Sequence, residues 1–214
     1  MNLDRYRYIV VEGPIGVGKT SLVQRLADVL HAQKLVERPQ EIPFLDNFYR
    51  DPARYALSTQ IAFLFQRMAQ MRTLAQADPA AGRVVSDFLL DKDALFARLT
   101  LDPDELKLYE QLCEQLRPQG PVPDLVIYLR AEPATLMERI RKRGIAMEAG
   151  ITDVYLDRLC ESYSRFFYHY DAAPQLIVNT EHFNPVGSDE HFAQLLARID
   201  AMRGKREYLN LGEQ

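Results

Sequence analysis

The chain has 214 residues, of which 47% are hydrophobic, so it can bury a full core and we expect one domain. Its formal net charge of −4 argues against a basic surface that binds nucleic acid polymers. The two cysteines, Cys113 and Cys160, are far apart and not in a metal-ligand spacing, which favours a reducing compartment. No secretory signal pattern or membrane-spanning run is present, so we expect a cytoplasmic protein without a membrane partner.

Short runs rich in Val, Ile and Leu alternate along the chain with longer helical patterns. Such continuous apolar runs are typical of strands in a sheet that is buried on both faces. They predict five strands, at 7–12, 34–37, 83–86, 124–129 and 175–179. The alternation of strands and helices predicts the α/β class, with a parallel sheet flanked by helices on both faces. We expect a single domain at 1–206 and a C-terminal tail at 207–214.

The first predicted strand runs directly into EGPIGVGKT, residues 12–20. This segment fits the P-loop pattern G-x-x-x-x-G-K-[ST], and its position between a strand and a helix is the context that the motif requires. Backbone N–H groups of the loop and the start of the helix would hold phosphates. Lys19 is expected to reach the β- and γ-phosphates, and Thr20 to bind Mg²⁺. The predicted ATP-binding residues are Gly13, Pro14, Ile15, Gly16, Val17, Gly18, Lys19, Thr20 and Ser21.

The rest of the chain indicates which class of P-loop protein this is, and so which group receives the γ-phosphate. A switch GTPase would need a base-reading N-K-x-D motif, which does not occur, and a motor would usually need a longer chain. A small kinase needs cations in a lid over the transferred phosphoryl group. In ERIRKRGIAMEAG, Arg139 and Arg143 share a helix face and Gly144 allows a bend, which predicts a lid at about 139–150. A solvated basic helix face is the alternative interpretation.

Two further segments indicate the acceptor side of a kinase site. Glu37 ends the second predicted strand, at the carboxyl edge where open α/β sheets bind ligands, and could accept a proton from an attacking hydroxyl. An exposed glutamate paired with Arg38 is the alternative. Gln60 and Arg67 are two helical turns apart on an otherwise apolar face, where they could read a nucleobase edge. Contacts between helices are the alternative for this pair.

In their order, these segments resemble the deoxynucleoside kinases, which transfer phosphate from a nucleoside triphosphate to the 5′-hydroxyl of a deoxynucleoside. The resemblance covers IVVEGPIGVGKTSL, VERP, PFLDNFYRDPARYALSTQIAFLFQR, DKDALFA, PDLVIYLRAEPATLMERIRKRG and ITDVYLDRLCESYSRFFYHY. It implies the P-loop kinase fold, ATP as phosphate donor and Mg²⁺ as cofactor. It also implies a homodimer formed by helices beside the sheet, to which the helix near 55–71 could contribute.

The resemblance also implies roles for individual residues. Glu37 is similar to the family's catalytic base, and Lys19 with the lid arginines Arg139 and Arg143 would act on the phosphates. The residues implied to contact the deoxynucleoside are Glu37, Tyr49 and Glu148 near the sugar hydroxyls, Gln60, Arg67 and Phe96 at the base, and Asp87 at the phosphates. An ordinary core phenylalanine is the alternative for Phe96.

The segment after the third strand departs from the family pattern. Family members usually carry an acidic residue that helps to hold Mg²⁺, followed by a phosphate-binding arginine and a serine. Here the chain reads VVSDFLLDKD, so Asp87 retains an acid one position later and the arginine is absent. Asp87 could hold the metal through water, and the missing cation would come from Lys92 or a lid arginine. Lys92 and Asp93 lie where family members tune base choice, and we expect purine deoxynucleosides.

Two other functions remain open at the level of sequence. A kinase fold recruited as a binding or structural subunit would be consistent with the absent arginine, but the intact P-loop, Glu37 and lid favour an enzyme. A nucleoside monophosphate kinase such as thymidylate kinase would need an arginine for the acceptor phosphate, and Arg38 is a candidate. The helix pattern of Tyr49, Gln60 and Arg67 favours a nucleoside instead.

Overall fold

The computed structural model describes residues 3–76, 82–116 and 120–210. Its strands form a six-stranded sheet in the order β2-β3-β1-β4-β5-β6, and all neighbouring strands are parallel. The strands are β1 (Tyr8–Glu12), β2 (Gln33–Leu35), β3 (Val84–Ser86), β4 (Leu125–Arg130), β5 (Gln175–Asn179) and β6 (Arg206–Leu209). The predicted α/β fold with a parallel sheet is therefore confirmed.

The expected number of five strands is wrong, because β6 adds a sixth strand at the edge of the sheet. Its residues pair in register with β5, from Gln175 opposite Arg206 to Val178 opposite Leu209. Alternate residues of β6 are exposed, so its sequence lacks the continuous apolar run that marks a central strand. Residues 207–209 of the predicted tail thus belong to the sheet, and residues 211–214 lie outside the described part of the chain.

Eight α-helices connect the strands within the described residues. They are α1 (Lys19–Leu30), α2 (Leu45–Arg50), α3 (Pro52–Gln76), α4 (Lys92–Thr100), α5 (Pro103–Leu116), α6 (Pro133–Arg143), α7 (Asp153–His169) and α8 (Asp189–Ala201). All five residues of β1 are buried. Since successive strand residues point to opposite faces, both faces of the sheet are covered at its centre, as predicted, whereas the edge strands β2 and β6 have exposed residues. None of these helices is long and apolar enough to cross a membrane.

The hydrophobic core has two parts, which position the site between them. The larger part surrounds the central strands β1, β4 and β5. The smaller part lies among α2, α3, α4 and α5 and contains Phe48, Leu64 and Tyr109. Parallel strands place their carboxyl ends at one edge of the sheet, and the smaller cluster builds a wall beside that edge. A cleft between sheet edge and helices follows from this arrangement.

Candidate active site

The P-loop connects the buried end of β1 to the start of α1. Gly16 has a φ of 85°, and a Cβ there would lie 2.9 Å from the carbonyl oxygen of Leu136, so only glycine fits the turn. The Lys19 ammonium donates hydrogen bonds to the carbonyl oxygens of Gly13 at 2.7 Å and Pro14 at 3.1 Å. Burial lowers the pKa of Lys19. The ammonium is thus held along the loop that the motif predicted to bind phosphate.

Thr20 and Asp87 lie side by side at the start of α1. The Thr20 hydroxyl donates to Oδ2 of Asp87 at 2.6 Å, and the backbone N–H of Glu37 donates to Oδ1 at 2.8 Å. Burial raises the pKa of Asp87, although both hydrogen bonds lower it. A hydroxyl beside a carboxylate is a pair of hard oxygen ligands, which fits Mg²⁺. No cluster of three or more His, Cys, Asp or Glu among the described residues could hold a metal, so water and phosphate would complete the coordination.

Glu37 lies two residues beyond β2 and is held by cations at both carboxylate oxygens. Nε and a terminal nitrogen of Arg67 both lie 2.7 Å from Oε1, and the Lys92 ammonium donates to Oε2 at 3.0 Å. Burial raises the pKa of Glu37, but Lys92 and Arg67 outweigh it and lower the pKa to about 2. Glu37 is therefore an oriented, ionised carboxylate at neutral pH. Arg38 instead pairs with Glu41 at 3.3 Å on the surface.

Helix α3 supplies Gln60 and Arg67, which meet Asp93 of α4. The Gln60 amide nitrogen donates to the backbone oxygen of Asp93 at 3.0 Å and to its Oδ1 at 3.2 Å. Arg67 pairs with the same carboxylate, and the Tyr109 hydroxyl donates to its other oxygen. Because both partners of the Gln60 amide nitrogen are acceptors, its carbonyl oxygen is the atom left to bind a ligand. Gln60 and Arg67 therefore make contacts between helices, which was the alternative interpretation for this pair, and they also line the cavity.

One cavity brings together most of the predicted site residues. Its lining includes Ile15, Gly16, Lys19, Thr20, Glu37, Tyr49, Gln60, Arg67, Asp87, Phe96, Arg143 and Glu148. Phe96 is half-buried and meets the ring of Tyr163 edge-on, with 6.0 Å between ring centroids. Five P-loop residues lie outside the lining: Gly13, Pro14, Val17, Gly18 and Ser21. The Val17 side chain is buried in the core, and Ser21 faces solvent.

The predicted lid closes one side of this cavity. Helix α6 ends at Arg143, where Gly144 takes a left-handed conformation with φ of 67°, and a short 3₁₀ helix follows at Ala146–Gly150. Arg143 donates to both oxygens of Glu148 at 2.6 and 2.7 Å. At Gly150 a Cβ would lie 2.6 Å from the carbonyl oxygen of Tyr49, so the lid backbone packs closely on α2. Burial raises the pKa of Tyr49, which stays protonated.

Arg139 lies on the same helix as Arg143 but has different partners. Its guanidinium donates to the hydroxyl of Thr180 at 3.0 Å and to the Thr180 carbonyl oxygen at 2.7 Å. Thr180 follows β5, so this contact ties the base of the lid to the sheet. Arg139 does not line the cavity, and its predicted action on phosphate stays a prediction.

A known protein family matches most of the chain. The family model described as deoxynucleoside kinase matches residues 9–202. The chain belongs to the deoxynucleoside kinase family. The resemblance inferred from sequence is thus confirmed, and the protein is an enzyme that transfers phosphate from ATP to a deoxynucleoside.

Relatives of this deoxynucleoside kinase include two bacterial enzymes. The chain is 32% identical over 206 residues to the deoxyadenosine kinase of Lactobacillus acidophilus, covering 90% of this chain and 94% of the relative. It is 32% identical over 175 residues to the deoxyguanosine kinase of Bacillus subtilis, covering 81% and 84%. The structure of deoxyadenosine kinase from M. mycoides with bound dATP matches the fold with a TM-score of 0.77 at 22% identity, covering 90% and 99%.

Sequence reasoning missed several residues that line the cavity of the kinase. Thr59 has a buried hydroxyl without a hydrogen-bond partner among the described residues, and Tyr155 and Tyr163 of α7 enter from the far end of the chain. Thr59 directly precedes Gln60 in α3, but helical periodicity does not place the two on one face, so the pattern did not single Thr59 out. Lys92, one of the two sources considered for the missing cation, does reach Glu37.

Proposed function

We propose that this kinase phosphorylates the 5′-hydroxyl of a purine deoxynucleoside, with Mg²⁺ and ATP, as a homodimer. The observation that carries the proposal is one cavity lined by the P-loop residues Lys19 and Thr20 and by the ionised carboxylate of Glu37. A phosphate donor and a hydroxyl acceptor can meet only where these two groups share a space. The purine preference is supported by relatives named as deoxyadenosine and deoxyguanosine kinases.

Each side chain has a distinct role in the proposed reaction. Glu37 accepts a hydrogen bond from the 5′-hydroxyl and takes its proton as the phosphoryl group arrives. Lys19 and Arg143 stabilise the charge on the phosphates. Thr20 and Asp87 would hold Mg²⁺, which would supply further neutralisation of the phosphate charge. The Gln60 carbonyl oxygen accepts from an N–H group of the base. The low pKa of Glu37 suits an aligning carboxylate, since transfer of a phosphoryl group needs little help from a strong base.

The cavity favours a nucleoside over a nucleotide as acceptor. The arginines in its described lining are Arg67 and Arg143, and each is already paired with carboxylates. Arg38, the candidate for binding an acceptor phosphate, is exposed, pairs with Glu41 and does not line the cavity. A phosphate on the acceptor would therefore compete with Glu37 and Asp93 for Arg67, or with the transferred phosphoryl group for Arg143. The thymidylate-kinase interpretation accordingly has no support in the geometry.

An assay of ADP release, run over the four deoxynucleosides and their monophosphates, tests this proposal. We expect a purine deoxynucleoside to give the highest kcat/KM, and Glu37→Gln to lower kcat by roughly 10²- to 10⁴-fold. Glu41→Gln, which removes an exposed carboxylate nearby, is the control and should keep wild-type kcat. Turnover with monophosphates alone, or full activity of Glu37→Gln, would contradict the proposal. Sedimentation equilibrium of the same preparation should show twice the chain mass of 24.7 kDa.

A further inference from the structure

Lys92, the first residue of α4, is a buried cation that no step of the proposed reaction uses. Its side chain is 2% exposed, and it lines the cavity together with Lys19. A lysine is almost never buried to this degree without charged partners, because removing an ammonium group from water is costly. The groups that Lys92 contacts therefore indicate its function.

Lys92 contacts two carboxylates that belong to different parts of the site. Its ammonium nitrogen lies 3.0 Å from Oε2 of Glu37 and 3.4 Å from Oε2 of Glu12. Glu37 is the proposed base for the acceptor, whereas Glu12 ends β1 and immediately precedes the P-loop. Because one ammonium bridges both carboxylates, Glu37 cannot move relative to the P-loop without separating a buried ion pair.

Glu12 provides a fixed point for this bridge. Its Oε1 accepts hydrogen bonds from the backbone N–H of Gly13 at 2.9 Å and from the Tyr163 hydroxyl at 3.0 Å. Its Oε2 accepts from the backbone N–H of Leu89 at 2.8 Å, and the residue is 0% exposed. The carboxylate thus connects the P-loop, α7 and the segment before α4. Because these hydrogen bonds fix the Glu12 carboxylate relative to the P-loop, they also fix the carboxylate that Lys92 contacts.

Arg67 completes the arrangement around Glu37. Two of its nitrogens lie 2.7 Å from Oε1, while Lys92 takes Oε2. Arg67 connects Glu37 to Asp93 on the base side of the cavity, and Lys92 connects it to the P-loop side. Since contacts at both oxygens fix the plane of the carboxylate, its remaining lone pairs point in defined directions.

We propose that Lys92 is a positioning residue for phosphoryl transfer, which bridges Glu12 and Glu37 and so aligns the acceptor hydroxyl with the phosphate held by the P-loop. The inference rests on the proposed function, because Glu37 is its acceptor base. A displacement of about 1 Å between reacting groups can cost on the order of 100-fold in rate. Loss of the bridge should therefore lower kcat and leave the binding of ATP largely unchanged.

A double-mutant cycle between Lys92 and Glu37 tests the inference. Lys92→Met is expected to lower kcat about 100-fold at saturating substrates, with the KM for ATP changed less than about threefold. If Lys92 acts through Glu37, Lys92→Met should lower kcat no further in a Glu37→Gln background. Arg98→Met removes an exposed cation from the same helix and, as the matched control, should keep wild-type kcat.

Three results would overturn the role assigned to Lys92. They are a wild-type kcat for Lys92→Met, equal losses of kcat in both backgrounds, and a raised KM for ATP in place of a lowered kcat. If thermal melting shows that Lys92→Met does not fold, Lys92→Gln enters the same cycle and the same results decide. A wild-type protein that phosphorylates no deoxynucleoside contradicts the proposed function itself, so the two failures are distinguishable.

Discussion

Single residues in the active site depend on buried charges that offset one another. The buried carboxylates are those of Glu12, Asp87 and Asp93, and the buried cations are Arg67 and Lys92. Glu37 and Lys19, which line the same cavity, are half-buried. In these contacts a carboxylate lies between cations or accepts backbone hydrogen bonds, which offsets the cost of removing it from water. Removing one partner leaves another charge buried and unpaired, so we expect substitutions here to affect both stability and activity.

Asp87 is the residue whose metal role can be separated from folding. Asp87→Asn keeps the size of the side chain and one acceptor oxygen for the Glu37 N–H, and its amide nitrogen can donate to the Thr20 hydroxyl, but the variant removes the charge that would attract Mg²⁺. We expect the Mg²⁺ concentration for half-maximal rate to rise about tenfold, since altering a group that supports a metal typically costs 10- to 100-fold in affinity. A magnesium titration of activity measures this change. Asp91→Asn, at an exposed position nearby, is the control, and equal requirements in both variants would exclude the role.

At the scale of elements, the lid depends on its close approach to α2. Gly150 lies so near Tyr49 that a Cβ would approach the Tyr49 carbonyl oxygen to 2.6 Å. Gly150→Ala should displace the lid from the part of the cavity lined by Tyr49 and Glu148, at a cost of roughly 1–3 kcal/mol for overpacking. We expect the KM for the deoxynucleoside to rise about tenfold, while the KM for ATP stays near the wild-type value.

Steady-state kinetics with each substrate varied in turn would show this difference. Ala149→Val adds carbon atoms at the neighbouring exposed position and serves as the control. A Gly150→Ala variant with an unchanged KM for the deoxynucleoside would mean that the lid is not held by this contact.

At the scale of the whole molecule, Glu37 links folding stability to pH. Its pKa is lowered from 4.5 to about 2 in the folded state, so its contribution is complete above about pH 4.5 and disappears as pH falls through 2. As pH falls from about 5 to about 3, the partial loss of this contribution lowers the free energy of unfolding by about 2 kcal/mol. We expect urea unfolding to show that the free energy of unfolding decreases between these pH values by about this much more in the wild type than in Glu37→Gln. Equal losses in both proteins would show that the carboxylate is not held ionised.

Much of the fold and part of the site could be predicted from local sequence. Continuous apolar runs mark the central strands because those strands are covered on both faces, and the predicted bounds of β5 match the structure. The P-loop is likewise local, since its glycines, Lys19 and Thr20 are set by the turn between one strand and one helix. Strand β6 was missed because an edge strand with exposed residues lacks this pattern.

The sequence by itself determined the parallel α/β sheet, the P-loop and the candidate residues of a kinase, because periodicity and motif spacing are properties of neighbouring positions. Only the tertiary structure decided which of those residues share a cavity: it placed Arg143 there and turned Arg139 to Thr180. It also brought Lys92 between Glu12 and Glu37, which are 25 residues apart in sequence. Long-range charge pairing arises when separate strands meet at one sheet edge, and no local pattern encodes that meeting.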